Sequence, residues 1–216
     1  MSRLSRPRVL LADDHRMVAE GLKSLLSPNF ELVEVVEDGR ALIAAAKKHH
    51  PDVIVADITM PHLNGLDALG LLKKHNPQVK VVFLTMHHEV AYARRALDAG
   101  AAGFVLKHSA PAELLTAIRA ALDGKTYLTP ALAGEVIHAL RLGKDAAGDR
   151  ATKLTARQRE ILQLLAEGRS AKEIAGTLGI SSRTVEFHKY QMMESLRIHN
   201  SAELIHFAIK QGIVVI

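Results

Sequence analysis

Short, wholly apolar runs alternate with amphipathic stretches through about the first 125 residues of the chain. That alternation is the pattern of a parallel sheet covered by helices on both faces. It predicts strands near 8–13, 31–36, 53–57, 79–85 and 103–106, and helices near 15–26, 39–48, 64–76, 88–98 and 110–123. Gly39, Gly65 and Gly100 stand at the joints, while Pro51, Pro77 and Pro111 punctuate helix boundaries. Pro111 falls at an early helical position, where its missing N–H costs nothing. The expected fold class is α/β, a doubly wound five-stranded parallel sheet of order 2-1-3-4-5, followed by a small all-α domain.

Asp123-Gly124-Lys125 closes the alternating region, and Tyr127-Leu128-Thr129-Pro130 opens a further helix that runs to about residue 142. Residues 143–152 are small, polar and charged, the composition of a flexible linker. From Leu154 onward the pattern is helical only. Thr155-Ala156-Arg157-Gln158 and Ser170-Ala171-Lys172-Glu173 each match a capping box, in which two orphan N–H groups are satisfied reciprocally. Their helices stop at Gly168 and Gly179. Ser181 caps a third helix reaching about Arg197, and Asn200-Ser201-Ala202-Glu203 caps a fourth that ends near Gly212. The tight turn Gly179-Ile180-Ser181 gives the second and third helices the helix-turn-helix arrangement, whose second helix can enter a DNA major groove. The domain reading is 1–125, a linker helix and flexible linker over 126–152, and 153–216.

Charge sharpens this picture. Residues 150–216 hold 10 Lys/Arg against 6 Asp/Glu, and the rest of the chain 18 against 17, so the excess positive charge sits with the helix-turn-helix. A polyanionic partner suits that distribution. The 216 residues include no cysteine, which excludes disulfides and thiolate metal sites. No apolar run reaches the ~18 residues of a membrane span, and the first seven residues lack the apolar core of a signal peptide. A cytoplasmic protein with no membrane partner is the expectation.

The candidate chemistry lies where four strands end. Asp13 and Asp14 follow Val9-Leu10-Leu11-Ala12, Asp57 follows Val53-Ile54-Val55-Ala56, Thr85 ends Val81-Val82-Phe83-Leu84, and Lys107 follows Phe104-Val105-Leu106. In strand order 2-1-3-4-5 these residues converge at the switch point, where ligands of open α/β sheets bind. Three acids gathered there repel by roughly 4 kcal/mol per pair at ~4 Å and an effective dielectric near 20. A cation is therefore required. Oxygen ligands favour a hard divalent ion, Mg²⁺ above all, and although the chain has 12 histidines, none are arranged as a zinc set. A metal and a lysine beside one carboxylate can orient and neutralise a phosphoryl group as it transfers to that carboxylate.

Leu11-Ala12-Asp13-Asp14-His15, Val55-Ala56-Asp57-Ile58-Thr59-Met60-Pro61, Leu84-Thr85-Met86 and Phe104-Val105-Leu106-Lys107 resemble the signature blocks of a response-regulator receiver domain, whose sheet is flavodoxin-like. The stretch 154–214 resembles the LuxR-type helix-turn-helix. Together they resemble the NarL/FixJ family of two-component response regulators over almost the whole chain. That resemblance implies that Asp57 accepts a phosphoryl group from a sensor histidine kinase. It implies that Asp13, Asp14, Asp57 and the backbone carbonyl of Thr59 surround Mg²⁺. Lys107 would pair with the phosphate, Thr85 would bond to it, and Phe104 would be the rotameric switch residue. Family members often carry tyrosine at that position, so here the inward move lacks a hydroxyl partner. His87 and His88 follow Thr85 and could tune phosphoryl entry or loss, or simply be solvated.

On the third C-terminal helix Val185, His188, Met192 and Leu196 recur at offsets of 0, 3, 7 and 11, the packed face. His188 is expected to pack or cap there. Arg183, Glu186, Phe187, Tyr190, Glu194 and Arg197 fall on the other side. In the family the outward residues of the first half contact bases, here Glu186, Phe187 and Tyr190, with Thr184 and Lys189 placed to hold phosphates. Glu186 can accept from cytosine N4 and Phe187 can touch a thymine methyl. Glu194 and Ser195 replace basic residues of many relatives, so a modest monomer affinity and reliance on a homodimer reading an inverted repeat are expected. Ile205, Ala208 and Ile209 recur at helical spacing on the fourth helix, a face that is expected to be partly core and partly a dimer contact on DNA, and RNA polymerase is a further partner the resemblance admits. Two other readings stay open: a regulator that binds DNA without phosphorylation, and a metal-dependent phosphatase or phosphotransferase. Against the latter, Asp57-Ile58-Thr59 lacks a second carboxylate two residues on to act as general acid.

Overall fold

A computed structural model of the chain describes residues 6–86, 88, 90–109, 111–141 and 154–214. It divides into two compact units, Met1–Lys144 and Asp145–Ile216. In the first unit the strands β1 (Arg8–Ala12), β2 (Glu31–Val36), β3 (Val53–Ala56), β4 (Val81–Thr85), β5 (Gly103–Leu106) and β6 (Tyr127–Leu128) form one parallel sheet in the order β2-β1-β3-β4-β5-β6. The helices are α1 (Arg16–Leu26), α2 (Gly39–His49), α3 (Gly65–His75), α4 (Val90–Asp98), α5 (Pro111–Leu122) and α6 (Pro130–Arg141).

Every residue of β3, β4 and β5 is buried, which is why their sequence reads as unbroken apolar runs rather than as alternation. Successive side chains still leave on opposite faces. Val9, Leu11, Val53, Val55, Val82, Leu84 and Val105 pack with Leu26 of α1 and Leu114, Ala117 and Ile118 of α5. Leu10, Ala12, Ile54, Ala56, Phe83, Phe104 and Leu106 pack with α2, α3, α4 and α6 on the other face. Truncating a side chain such as Phe83 or Phe104, both 0% exposed, would cost about 3–5 kcal/mol.

The sheet has six strands where five were expected. Tyr127 and Leu128 pair with Gly103 and Phe104. Two residues are too few for a period of two to register in sequence, so only the sheet edge reveals them. Thr129, 2% exposed, completes the join. Its N–H donates to the Phe104 carbonyl (3.0 Å), its hydroxyl accepts from the Leu106 N–H (3.2 Å), and its carbonyl accepts from Leu132 and Ala133 at the start of α6. The helix read in sequence as part of the linker lies within the first unit, with Leu132 and Val136 buried in its core.

The second unit is the helices α7 (Ala156–Ala166), α8 (Ala171–Leu178), α9 (Ser182–Leu196) and α10 (Ser201–Lys210). Both capping boxes are formed, Thr155 with Gln158 and Ser170 with Glu173. Ser181 accepts from the Thr184 N–H and Asn200 from the Glu203 N–H. Gly179 ends α8 in the left-handed region (φ 65°), where a side chain is costly. Ile161, Leu162, Ile174, Val185, Met192, Leu196, Leu204 and Ala208 make the core.

Candidate functional site

Backbone hydrogen bonds hold the strand ends of the first unit against one another. Asp13 N–H donates to Val36 O (3.0 Å), Asp57 N–H to Ala12 O (2.8 Å) and Lys107 N–H to Thr85 O (2.8 Å). The loop after Asp57 returns tightly, because Gly65 N–H donates to Ile58 O at 2.8 Å. A Cβ at Gly65 would stand 2.3 Å from the Asp57 carbonyl oxygen, so no other residue fits that joint without displacing the backbone beneath Asp57.

This scaffold brings the predicted residues of the pocket together. Lys107 Nζ lies 2.6 Å from Asp57 Oδ2 and 2.7 Å from Asp13 Oδ2, with all three side chains nearly buried. Thr59 N–H donates to Asp57 Oδ1 at 3.2 Å, and His15 N–H to Asp13 Oδ1 at 2.9 Å. Thr85 is fully buried at the end of β4. Phe104, three residues before Lys107 and opposite Phe83, is fully buried. His88, exposed, stacks on His108 with ring centroids 4.4 Å apart; His87 lies outside the described residues.

Burial raises the pKa of the Asp57 carboxyl, and the nearby Asp13 adds to the rise, against the pull of Lys107 and the Thr59 N–H. For Lys107 burial acts downward, but Asp57 and Asp13 outweigh it and its pKa rises too. One member of the pair thus resists its charge while the other holds it. Counting charges resolves this in favour of a charged Lys107: a single ammonium faces more carboxylate than it can neutralise, and Asp57 registers the shortfall.

Asp13, Asp14, His15 and Asp57 offer ligand atoms within 4.8 Å of one another. Asp14 Oδ1 is buried without a hydrogen bond. His15 Nδ1 comes within 2.9 Å of it, but outside hydrogen-bonding alignment, so proximity does not satisfy that oxygen. A buried, unsatisfied carboxylate oxygen among other oxygens fits a hard divalent cation. His15 is the residue that sequence reading passed over. Its place directly after two acids at a strand end was the available signal.

In the second unit α9 exposes Phe187 (57%) and Tyr190 (63%) on its outer face, while Val185, Met192 and Leu196 are buried. Lys189 is not extended toward solvent: its Nζ is 2.6 Å from Glu186 Oε2 and 5.3 Å from the Tyr190 ring centre. The Thr184 hydroxyl is engaged with Ser181 Oγ at 2.8 Å. His188 meets the Phe187 ring edge, and its buried Nδ1 has no hydrogen-bond partner, so it packs and does not cap.

An acid pocket on a doubly wound sheet and a helix-turn-helix with exposed aromatics together define a class, the switchable DNA-binding regulator. Residues 9–119 match the response regulator receiver domain and residues 152–208 match the bacterial regulatory proteins of the luxR family. The chain belongs to the two-component response regulators that join a receiver to a LuxR-type DNA-binding domain, and it is a phosphorylation-controlled regulator of transcription. It is 38% identical over 228 residues to the transcriptional regulatory protein MctR of Rhizobium johnstonii, spanning 99% of this chain and 98% of that one. It is 36% identical over 200 residues to the transcriptional regulatory protein UhpA of Salmonella typhimurium, covering 92% and 95%. Among solved structures it is similar to RcsB, in dimers bound to DNA, with TM-score 0.60, 28% identity and coverage of 94% and 98%. Among the described residues, no helix is long and apolar enough to cross a membrane.

Proposed function

We propose that Asp57 is the phosphoacceptor of this receiver. An Asp57 carboxylate oxygen attacks the phosphorus of a sensor-kinase phosphohistidine, the P–N bond breaks, and the imidazole leaves and takes up a proton. Mg²⁺ held by Asp13, Asp14, Asp57 and the Thr59 carbonyl would neutralise charge on the phosphoryl oxygens. Lys107 exchanges its contact with Asp57 for one with the phosphoryl group, and the Thr85 hydroxyl donates to it. The bond from Lys107 to both Asp13 and Asp57 carries this reading, since it puts a movable cation beside the proposed nucleophile.

The response then passes to the DNA-binding region. In our reading the phosphoacceptor region spans 1–125, residues 126–152 connect it onward while adding β6 and α6 to the first unit, and 153–216 binds DNA as a cytoplasmic homodimer on an inverted repeat, with half-site centres about one helical turn (~10 bp) apart. RcsB dimers on DNA support the DNA-bound dimer of this reading. Thr184, Glu186, Phe187, Lys189 and Tyr190 form the reading face, and RNA polymerase is the downstream partner. The receiver carries one label, which decays by hydrolysis, and it does not turn over small phosphoesters.

Intact-mass measurement after incubation with Mg²⁺ and acetyl phosphate tests the proposal. One alkali-labile phosphoryl group on the wild type and none on Asp57→Asn is expected. Equal labelling of the two, or steady turnover of a small phosphoester such as p-nitrophenyl phosphate, overturns it.

A further inference from the structure

The carboxylate pocket occupies one edge of the sheet; at the other edge, where β4, β5 and β6 begin, the chain leaves a cavity of about 490 Å³. Three lysines line it and no carboxylate does: Lys73 from α3, Lys80 just before β4 and Lys125 just before β6. The floor is small, because Gly100, Ala101 and Ala102 lead into β5 there.

Two of the ammonium groups are fixed in place. Lys73 Nζ donates to the Pro77 carbonyl at 3.0 Å, and Lys80 Nζ donates to the Leu122 carbonyl at 2.8 Å. An ammonium carries three donors, so each carbonyl orients a head and leaves two donors over. Among the described residues none of the three lysines is in an ion pair. Burial also lowers the pKa of Lys73 without a carboxylate to offset it.

A concavity of this volume falls within the roughly 300–1,000 Å³ of small-ligand sites. Its donors are cationic, numerous and uncompensated. A single carboxylate would use few of them, whereas phosphoryl oxygens accept several charge-assisted hydrogen bonds at once. Duplex DNA is held by cations strung along an extended surface, whereas here three lysines line one open concavity. We propose that this cavity binds a small phosphate-bearing anion, of the size and charge of a pyrophosphate group, at a site separate from the acid pocket.

Calorimetric titration of sodium pyrophosphate into the full-length protein, in EDTA and at constant ionic strength, tests this. The wild type should bind saturably at one site. Lys73→Gln/Lys80→Gln should bind at least about tenfold more weakly, the scale of one lost charge-assisted hydrogen bond. Lys125→Gln, whose side chain is exposed, should bind several-fold more weakly with unchanged melting. Should the double variant not melt cooperatively, Lys125→Gln decides alone. A wild-type Kd above about 1 mM, or variants that bind like the wild type, would overturn the proposal. So would a loss of duplex-DNA affinity in the double variant, which would assign these lysines to nucleic acid.

Discussion

Glu186 and Lys189, two residues of the proposed DNA-reading face, neutralise each other across one turn of α9, Nζ to Oε2 at 2.6 Å. An i,i+3 pair at this exposure stabilises a helix by only a few tenths of a kcal/mol. Its consequence is for binding, because Lys189 reaches a DNA phosphate only by giving up Glu186. Glu186→Gln should therefore raise affinity for non-cognate duplex, because the pair no longer has to be broken, whereas Lys189→Ala should flatten the log K against log salt slope by about 0.9, one phosphate's worth. A fluorescence-anisotropy salt series measures it. An unchanged slope would mean that Lys189 does not contact phosphate.

Base preference should respond separately. Losing a base contact costs roughly 1–3 kcal/mol of discrimination, so Tyr190→Ala should relax the motif recovered in a binding-site selection. Lys189→Ala should weaken binding to all sequences alike. If Tyr190→Ala selects the wild-type motif with undiminished stringency, the exposed aromatic is not a reader.

In the metal-free protein Asp57 should destabilise the fold at neutral pH. Its carboxyl has a pKa above the unfolded value of 3.8, so the folded state binds the proton more tightly and ionisation costs stability. The loss is absent below about pH 3.8 and grows as pH rises through the folded-state value. Asp57→Asn should melt higher than wild type in EDTA at pH 7, by roughly 2–4 °C for each kcal/mol recovered, and the gap should close on acidification. Mg²⁺ should raise the wild type more than the variant. Calorimetry from pH 4 to 8 that shows a constant gap would refute this account.

Thr129 should be a structural joint between β5 and α6. Thr129→Val keeps the shape but leaves the buried Leu106 N–H without its acceptor, at a cost of about 1–3 kcal/mol. Thr129→Ser should restore most of it. Urea denaturation of the three proteins provides the comparison, and equal midpoints for valine and threonine would remove the hydroxyl from the argument.

Thr85→Ala should still be phosphorylated yet dimerise poorly in response, since the hydroxyl senses the phosphoryl group and a ligand shifts an equilibrium only through contacts that differ between states. Light scattering with and without a phosphate mimic reads the shift. An undiminished shift in the variant would route the switch elsewhere.

Local chemistry was legible from sequence alone. Apolar runs ended by Asp13, Asp57, Thr85 and Lys107 specify buried strands and a shared edge, because a parallel sheet buried on both faces leaves no choice of side-chain pattern. The capping boxes at Thr155 and Ser170 fix helix starts with contacts only three residues apart. Long-range partnership was not legible. The pairing of Tyr127 and Leu128 with β5, the burial of Leu132 and Val136, and the lysine-lined cavity depend on residues brought together from distant segments. Glu186 with Lys189 is the instructive middle case. Their spacing of three allows a pair, but whether the lysine turns to its neighbour or to solvent depends on side-chain rotamers and on what surrounds them, and the tertiary structure decides that.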